Sequence, residues 1–152
     1  MKVYLVQHGE AKKKEEDPDR PLTDGGREAV KKVASFLAQT GVTVRQIHHS
    51  GKRRAEETAL VMAEHVSPPE GVKTVQGLGP NDDVVPVAEM LQGETEPVMI
   101  VGHLPFLSRL AGLLLTENAE KSVIRFRTGG CVCLVQENGN WTVECAVTPD
   151  LL

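Results

Sequence analysis

Short apolar runs alternate along this chain with longer stretches whose apolar residues recur at helical spacing. The run Pro97 to Val101 (PVMIV) contains no polar residue, which is typical of a strand covered on both faces. Val3 to Val6 is a similar run, and Ala29 to Leu37 has apolar residues three and four positions apart. This alternation predicts an α/β protein with a mostly parallel central sheet and helices on both faces.

The other predicted elements complete this architecture. Asn138-Gly139 favours a tight turn, so the last two strands are expected to form an antiparallel C-terminal hairpin. Residues 10–22 are highly charged and contain two prolines, which predicts a mobile surface loop. The predicted strands are Val3–Val6, Val42–Ile47, Val72–Val75, Pro97–Val101, Val123–Phe126, Cys131–Gln136 and Trp141–Val147. The predicted helices begin at Thr23, at Ser50, at Asn81 or Asp82 and at Pro105, and they end near Gly41, His65, Leu91 and Leu115.

Length and composition narrow the classes of function. The 152 residues contain no repeat or linker, so we expect a single domain over residues 1–152. A net charge of −4 and 3% aromatic residues argue against a nucleic-acid partner. The chain has neither a signal-peptide core nor a long apolar run, so we expect a cytoplasmic protein without a membrane partner. Cys131, Cys133 and Cys145 are expected to be small buried hydrophobes.

Polar side chains that directly follow the predicted strands are the candidates for a functional site. Ligands of open α/β sheets bind beyond the carboxyl ends of the strands. His48 and His49 point to opposite faces of an extended chain, so no metal site is expected. The candidates are Gln7, His8, Gly9 and Glu10 after the first strand, His48, His49, Ser50, Arg53 and Arg54 after the second, and Gly102 and His103 after the strand at 97–101.

This combination of side chains suits a phosphoryl group. The helix after Ser50 presents free amides and the positive end of its dipole, and Arg54 adds a planar fork that matches phosphate oxygens. A neutral imidazole is a competent nucleophile toward phosphorus when its other nitrogen is held by a hydrogen bond, so His8 is a candidate nucleophile. Gly9 is expected to let a phosphate approach the backbone.

Four stretches occur in an order and spacing that are known from one protein family. They are VQHGE (6–10), RPLTDGG (20–26), SGKRRAEETA (50–59) and VGHLPF (101–106). With them the chain resembles the histidine phosphatase superfamily and, within it, the small SixA-type phosphohistidine phosphatases. The resemblance implies a phosphoglycerate mutase-like fold and a phosphorylated protein as the substrate.

The same resemblance assigns roles to individual residues. His8 would become transiently phosphorylated, while Arg54 and a protonated His103 would bind the phosphoryl oxygens without a metal or another cofactor. Phosphate or sulfate is therefore expected to bind in the site. The expected substrate-binding residues are Gln7, Gly9, Arg20, Ser50 and Gly102, and Glu10 is the first candidate for the proton donor, with Asp17 and Asp19 as alternatives.

The chain departs from the family pattern at Gln7, where the motif has arginine. Glutamine offers neither charge nor a bidentate fork, and the loss of one charge-assisted contact costs roughly 2–4 kcal/mol, or about 30-fold to 1000-fold in rate. Arg53 or Arg20 could replace the missing charge. A smaller departure is Glu57, where relatives often carry glutamine.

Three functions remain open at this point. The first is hydrolysis of phosphohistidine on a protein, because a phosphohistidine whose ring is protonated expels a neutral imidazole without a strongly tuned acid. The second is a catalytically impaired phosphate-binding or phosphoprotein-binding module, marked by Gln7. The third is a phosphatase for small phosphate esters, against which the short chain argues because little of it remains to enclose such a substrate.

Overall fold

The computed structural model describes residues 1–152 and contains one six-stranded sheet in the order β3-β2-β4-β1-β5-β6. The first four strands in this order are parallel, and β5 and β6 form an antiparallel hairpin beside β1. The predicted fold class is therefore confirmed. The strands are β1 (Lys2–Gln7), β2 (Ile47–His49), β3 (Val72–Thr74), β4 (Val98–Gly102), β5 (Cys131–Glu137) and β6 (Asn140–Val147). The helices are α1 (Asp24–Gln39), α2 (Arg53–Val66), α3 (Val85–Gly93) and α4 (Phe106–Thr116), and a 3-10 turn covers Pro149–Leu151.

Two apolar cores lie on opposite faces of the sheet. In β1, Val3 and Leu5 belong to the core under α3 and α4, while Tyr4 and Val6 belong to the core under α1 and α2. This division follows from the alternation of side chains along an extended strand. Because both faces are covered, the polar residues of the parallel strands are confined to the strand ends.

Helix α1 begins and ends close to the predicted positions. The Thr23 hydroxyl accepts a hydrogen bond from the Gly26 amide at 2.9 Å and so satisfies one free amide of the first turn. The helix ends at Gln39, and Gly41 follows with a φ of +82°, which glycine adopts without strain.

One predicted strand begins later than expected, and another does not form. The second strand begins only at Ile47, because the Val42 amide still bonds to the Leu37 carbonyl in the turn that ends α1. No strand forms at 123–126, since both sides of β1 are already occupied by β4 and β5. Instead, Ile124 and Phe126 pack into the core under α3 and α4.

Two predicted helix starts are also wrong. Ser50 does not cap α2, which begins after Lys52 without a side-chain cap. Neither Asn81 nor Asp82 caps α3, because the Asp83 carboxylate accepts the Val85 amide at 3.0 Å.

The loop between β1 and α1 is ordered, contrary to the expectation of a mobile segment. An antiparallel bridge joins Ala11 to Leu22, and the Lys12 amide donates to the Pro21 carbonyl at 2.8 Å. Charge and proline content revealed only that the segment lies at the surface, because they carry no information on pairing between its two ends.

The cysteine prediction is right for two of the three residues. Cys131 and Cys133 are buried, whereas Cys145 on the edge strand β6 is exposed. None of the helices combines the length and apolar character that a bilayer crossing requires.

Candidate active site

The carboxyl ends of β1 and β4 bring the two candidate histidines together. Gln7 pairs with Gly102 in the parallel ladder, and the His8 amide donates to the Gly102 carbonyl at 3.0 Å. His8 and His103 are therefore the first residues beyond two neighbouring strands. Their ring centroids lie 5.1 Å apart with an interplanar angle of 53°.

The tautomer of His8 is held by its own backbone. Its Nδ1 lies 2.7 Å from the Gly9 carbonyl oxygen, which can only accept, so Nδ1 carries the proton. Burial lowers the pKa of His8, the charges of Arg54 and Arg20 lower it further, and the Gly9 hydrogen bond opposes them. His8 is thus a neutral imidazole with the lone pair of Nε2 available.

His103 is bound by a serine on the neighbouring chain segment. The Ser50 hydroxyl lies 2.6 Å from His103 Nε2, and the same oxygen accepts the Lys52 amide at 3.3 Å. A hydroxyl can donate to Nε2 or accept from it, and donation places the ring proton on Nδ1. Ser50 therefore bonds a site histidine instead of capping a helix.

Without a bound anion, His103 is neutral in this environment. Burial lowers its pKa to about 3, with smaller contributions from the positive charges of Arg54, Lys52 and Arg20 and from His8 whenever that ring is protonated. A phosphoryl dianion among these groups opposes the repulsion and favours a proton on His103. Before an anion binds, the positive charge of the site comes from arginine.

Arg54 enters the site from the first turn of α2. Its backbone carbonyl accepts the Thr58 hydroxyl at 2.7 Å, and Thr58 in turn accepts the Gly9 amide at 3.0 Å. This chain of bonds joins α2 to the residue after His8. Burial lowers the pKa of Arg54, and the charge of Arg20 lowers it further.

Three buried polar atoms of the site have no hydrogen-bond partner: Gln7 Oε1, Arg54 Nε and His103 Nδ1. A buried polar atom without a partner costs roughly 1–3 kcal/mol, and native proteins rarely keep one without a reason. The only other such atom in the chain is Trp141 Nε1. Three of the four unpartnered buried atoms thus belong to candidate site residues, as expected of a site built for a polar ligand.

The two candidates for replacing the motif arginine lie in different surroundings. Arg53 donates to the Glu57 carboxylate at 2.9 Å and lies 3.8 Å from Asp19, so its charge is engaged away from the histidines. Arg20 forms no ion pair with a carboxylate. Its charge lowers the pKa values of His8, Arg54 and His103, which places it in the neighbourhood of all three.

The two candidate glycines have packing roles. A Cβ on Gly9 would lie 2.7 Å from Val30 Cγ2 of α1, so Gly9 permits close contact between the β1 loop and α1. The approach of a phosphate to the Gly9 backbone remains a prediction. Gly102 is buried and its carbonyl is occupied by the His8 amide, so it aligns the two loops.

Glu10 lines a groove of about 790 Å³ whose lining includes neither His8 nor His103. Its carboxylate is exposed and accepts the Thr23 hydroxyl at 2.8 Å. The groove is also lined by Gln7, Leu104 and Arg127, among others. No group of three or more His, Cys, Asp or Glu side chains is placed to hold a metal ion.

His48 and His49 do not belong to the site. Both are buried within β2, where His48 Nε2 bonds to Gln46 at 2.9 Å and His49 Nδ1 accepts the Gly51 amide at 3.1 Å. Sequence reasoning missed the links of Ser50 to His103 and of Glu57 to three segments, since neither contact is local in sequence. The one sequence feature that could have indicated these links is the position of Ser50 and Glu57 inside the stretch 50–59.

Comparison with known proteins identifies the family. The sequence model of the histidine phosphatase superfamily (branch 1) matches residues 3–78. The chain belongs to the histidine phosphatase superfamily. Within this superfamily it is 28% identical over 156 residues to phosphohistidine phosphatase SixA of Escherichia coli, covering 98% of this chain and 94% of that protein. It is 34% identical over 118 residues to an uncharacterised protein of Picosynechococcus, covering 73% of this chain and 71% of that one.

A solved structure of this superfamily has the same fold. The protein histidine phosphatase SixA complexed with tungstate superposes with a TM-score of 0.86 at 25% identity, over 99% of both chains. The chain is thus a SixA-like superfamily member. In that relative the bound ligand is tungstate, an oxyanion.

Proposed function

We propose that this protein hydrolyses phosphohistidine on another protein through a covalent intermediate on His8. One observation carries the proposal. A neutral His8, with its Nε2 lone pair available, has its ring centroid 5.1 Å from that of His103, and the charge of Arg54 acts on both histidines. This arrangement combines a nucleophile with donors for the oxygens of a phosphoryl group.

The reaction has two displacements at phosphorus. His8 Nε2 attacks the phosphoryl group, the bond from phosphorus to the substrate nitrogen breaks, and the substrate imidazole leaves as a neutral ring that keeps its proton. Water then attacks the phosphorus of phospho-His8, the bond to Nε2 breaks, and inorganic phosphate leaves. The water proton passes to the departing phosphate or to solvent.

The protein contributes alignment and charge to both steps. The bond from His8 Nδ1 to the Gly9 carbonyl stabilises the ring as positive charge develops during attack. Arg54 and His103 Nδ1 are the donors proposed for the phosphoryl oxygens, and a preorganised donor of this kind is worth roughly 10²–10³ in rate. In both proposed steps, the positive charge that stabilises the phosphoryl oxygens comes from side chains of this protein.

The substrate class follows from the leaving group. An imidazole titrates near pH 6.5, so a protonated phosphohistidine needs little help from an acid, whereas an alkoxide needs a proton donor. Glu10 is the candidate donor but is exposed and bonded to Thr23. The similarity to a phosphohistidine phosphatase supports the same choice.

A phosphate-ester substrate is the second candidate. A phosphoserine phosphatase of Entamoeba histolytica has the same fold, with a TM-score of 0.73 at 18% identity over 99% of both chains. That protein is of comparable length, so the argument from a short chain does not exclude an ester. A binding module without turnover is the third candidate, because Gln7 lacks the charge of arginine.

A comparison of substrates separates these functions. Wild-type protein is incubated with a phosphohistidine peptide and, in parallel, with phosphoserine, and released phosphate is measured. We expect release from the first to be at least about 10-fold faster, and we expect His8→Ala to abolish it because the nucleophile is gone. His65→Ala is the matched control, since His65 bonds only within α2.

Two outcomes would contradict the proposal. Faster release from phosphoserine would favour the ester phosphatase. Binding of vanadate without release from either substrate would favour the binding module. A phosphoenzyme that is labile in acid and stable in base, and that His8→Ala does not form, would support the covalent intermediate.

A further inference from the structure

The β5–β6 hairpin places two of the three cysteines directly opposite one another. In its antiparallel register, Cys133 of β5 pairs with Cys145 of β6. Residues that face each other in such a ladder have Cα atoms roughly 4.5–5.5 Å apart, and their side chains lie on the same face of the sheet. A disulfide requires a Cα separation of roughly 4.4–6.8 Å. The backbone therefore holds the two thiols at a separation that a disulfide can bridge.

The other two pairings of the three thiols are geometrically unfavourable. Cys131 and Cys133 are alternate residues of one strand, so their Cβ atoms lie roughly 6.5 Å apart, against roughly 3.5–4.5 Å in a disulfide. Cys131 pairs with Val147, which makes Cys145 its diagonal neighbour at roughly 7–8 Å. The register of the hairpin thus selects one pair among the three cysteines.

An irregularity in β6 adds a charged residue to this pair. The register shifts between Cys133 and Leu134, so Glu144 has no partner of its own on β5. A bulge of this kind sets two residues of one strand against one residue of the other. The Glu144 carboxylate accepts the Cys133 thiol at 3.5 Å and is held by Lys2 of β1 at 2.7 Å. Glu144 and Cys145 are therefore both neighbours of Cys133.

The two thiols differ in their access to solvent. Cys145 is exposed on the edge strand, whereas Cys133 is 1% exposed and packs in the core under α1 and α2. Burial, followed by the charge of a Cys145 thiolate and the Glu144 hydrogen bond, raises the pKa of Cys133 to about 12. Cys133 thus stays a protonated thiol, and a reagent in solution meets Cys145 first.

We propose that Cys133 and Cys145 form a reversible disulfide by exchange with a low-molecular-weight disulfide such as oxidised glutathione. The proposal assigns a modification site to the edge of the sheet. It does not depend on the proposed function, because it involves neither His8 nor the residues around it. The cysteine pair thereby has a chemistry beyond packing.

The exchange has two displacements at sulfur. The Cys145 thiolate attacks one sulfur of the small disulfide, the sulfur–sulfur bond of that molecule breaks, and one thiolate leaves. Cys133 then loses its proton to solvent and attacks Cys145 Sγ, the mixed disulfide bond breaks, and the second thiolate leaves. The cysteine pair is oxidised by two electrons, and the small disulfide is reduced to two thiols.

Formation of the mixed disulfide favours the second displacement. Cys145 carries no negative charge once its sulfur is bonded, so one contribution that raises the pKa of Cys133 disappears. The attacking sulfur also belongs to the same hairpin and is held opposite its target. An intramolecular attack with this alignment proceeds at a high effective concentration. We therefore expect closure to prevent accumulation of the mixed disulfide.

Mass spectrometry of the native full chain tests the proposal. The reduced protein is incubated with an excess of oxidised glutathione at neutral pH, and the reaction is stopped with acid. We expect the main product to have lost two hydrogen atoms and to carry no glutathione, and we expect dithiothreitol to reverse the change. Cleavage after Glu137 separates Cys133 from Cys145, so a disulfide is seen as two peptides that stay joined until they are reduced.

Single substitutions separate this pair from the third cysteine. Cys131→Ala is the matched control, because it removes a buried thiol from the same strand, and we expect its rate of disulfide formation to stay within about 2-fold of the wild type. Cys145→Ala is expected to abolish both glutathione addition and the disulfide. Cys133→Ala is expected to stop the reaction at a mixed disulfide on Cys145. Thermal unfolding establishes that each variant is folded, and the exposed position of Cys145 keeps that arm informative if Cys133→Ala is not.

Four outcomes would overturn the proposal. A mixed disulfide that persists on Cys145 of the wild type would show that Cys133 does not reach it. A bond to Cys131 would contradict the selection of one pair by the register. A bond between the Cys145 residues of two copies of the chain would make the reaction intermolecular. An unchanged mass would show that Cys145 does not react with the small disulfide.

Discussion

At the scale of single residues, the site depends on which nitrogen of each imidazole carries the proton. The Gly9 carbonyl holds a proton on Nδ1 of His8, and the Ser50 hydroxyl bonds Nε2 of His103. In the proposed reaction, a proton on His8 Nε2 would leave the nucleophile without a lone pair, and a proton on His103 Nε2 would leave Nδ1 unable to donate to the phosphoryl group. The chemistry of the two histidines is therefore controlled by neutral partners.

Ser50→Ala tests this control. Loss of the hydroxyl leaves His103 Nε2 without its partner, so we expect kcat/KM to fall about 10-fold and the free energy of unfolding to fall by roughly 1–1.5 kcal/mol. Ser50→Thr keeps the hydroxyl and is expected to restore most of the activity. A purely structural role for Ser50 would leave the pH profile of kcat/KM unchanged, whereas loss of tautomer control would shift it.

At the scale of elements, the site depends on close packing between the loop after β1 and helix α1. Gly9 lies against Val30, where a Cβ would approach to 2.7 Å. The Gly9 amide is at the same time held by Thr58 of α2 at 3.0 Å. His8 thus follows a strand and precedes a residue that two helices hold in place.

Gly9→Ala is expected to destabilise the protein by roughly 1–3 kcal/mol, because the added methyl group overpacks the contact with Val30. The free energy of unfolding in urea measures this change. Gly25→Ala is the control, since a Cβ at that position in the first turn of α1 has its nearest neighbour at 4.0 Å. Equal stability of the two variants would show that the contact with Val30 is not limiting.

At the scale of the whole molecule, buried neutral histidines connect stability to pH. Burial lowers the pKa values of His8, His48, His49 and His103 in the folded protein, and that of His103 reaches about 3. The unfolded chain binds these protons near pH 6.5, so below that pH the unfolded state holds more protons than the folded state. The free energy of unfolding therefore decreases as pH falls from 6.5 toward the folded-state values.

We expect the protein to be less stable at about pH 5 than at about pH 7.5, with His103 alone contributing about 2 kcal/mol to the difference. Urea unfolding at the two pH values measures it. His103→Gln is expected to lose that part of the pH dependence. Tungstate is expected to reduce the difference in the wild type, because an anion favours protonated histidine. A pH-independent free energy of unfolding would contradict the neutral assignment.

Much of the architecture was determined by the sequence alone. Fully apolar runs such as 98–101 have no stable place except a sheet covered on both faces, so the α/β class and the parallel strands were predictable. The placement of His8 and His103 at strand ends was equally local, and the order of strands and helices then put them on one rim. Thr23 as a helix cap is also a property of neighbouring residues.

The tertiary structure decided what depends on contacts between distant segments. The bond of Ser50 to His103, the contact of Gly9 with Val30 and the bonds of Glu57 to Leu22 and Arg27 join residues that are 21 to 53 positions apart. Periodicity and propensity describe only neighbours along the chain. They therefore led to the wrong expectations of a mobile loop between β1 and α1 and of Ser50 as a helix cap. The neutral state of His103 is likewise a consequence of burial and of nearby charges, which exist only once the chain has folded.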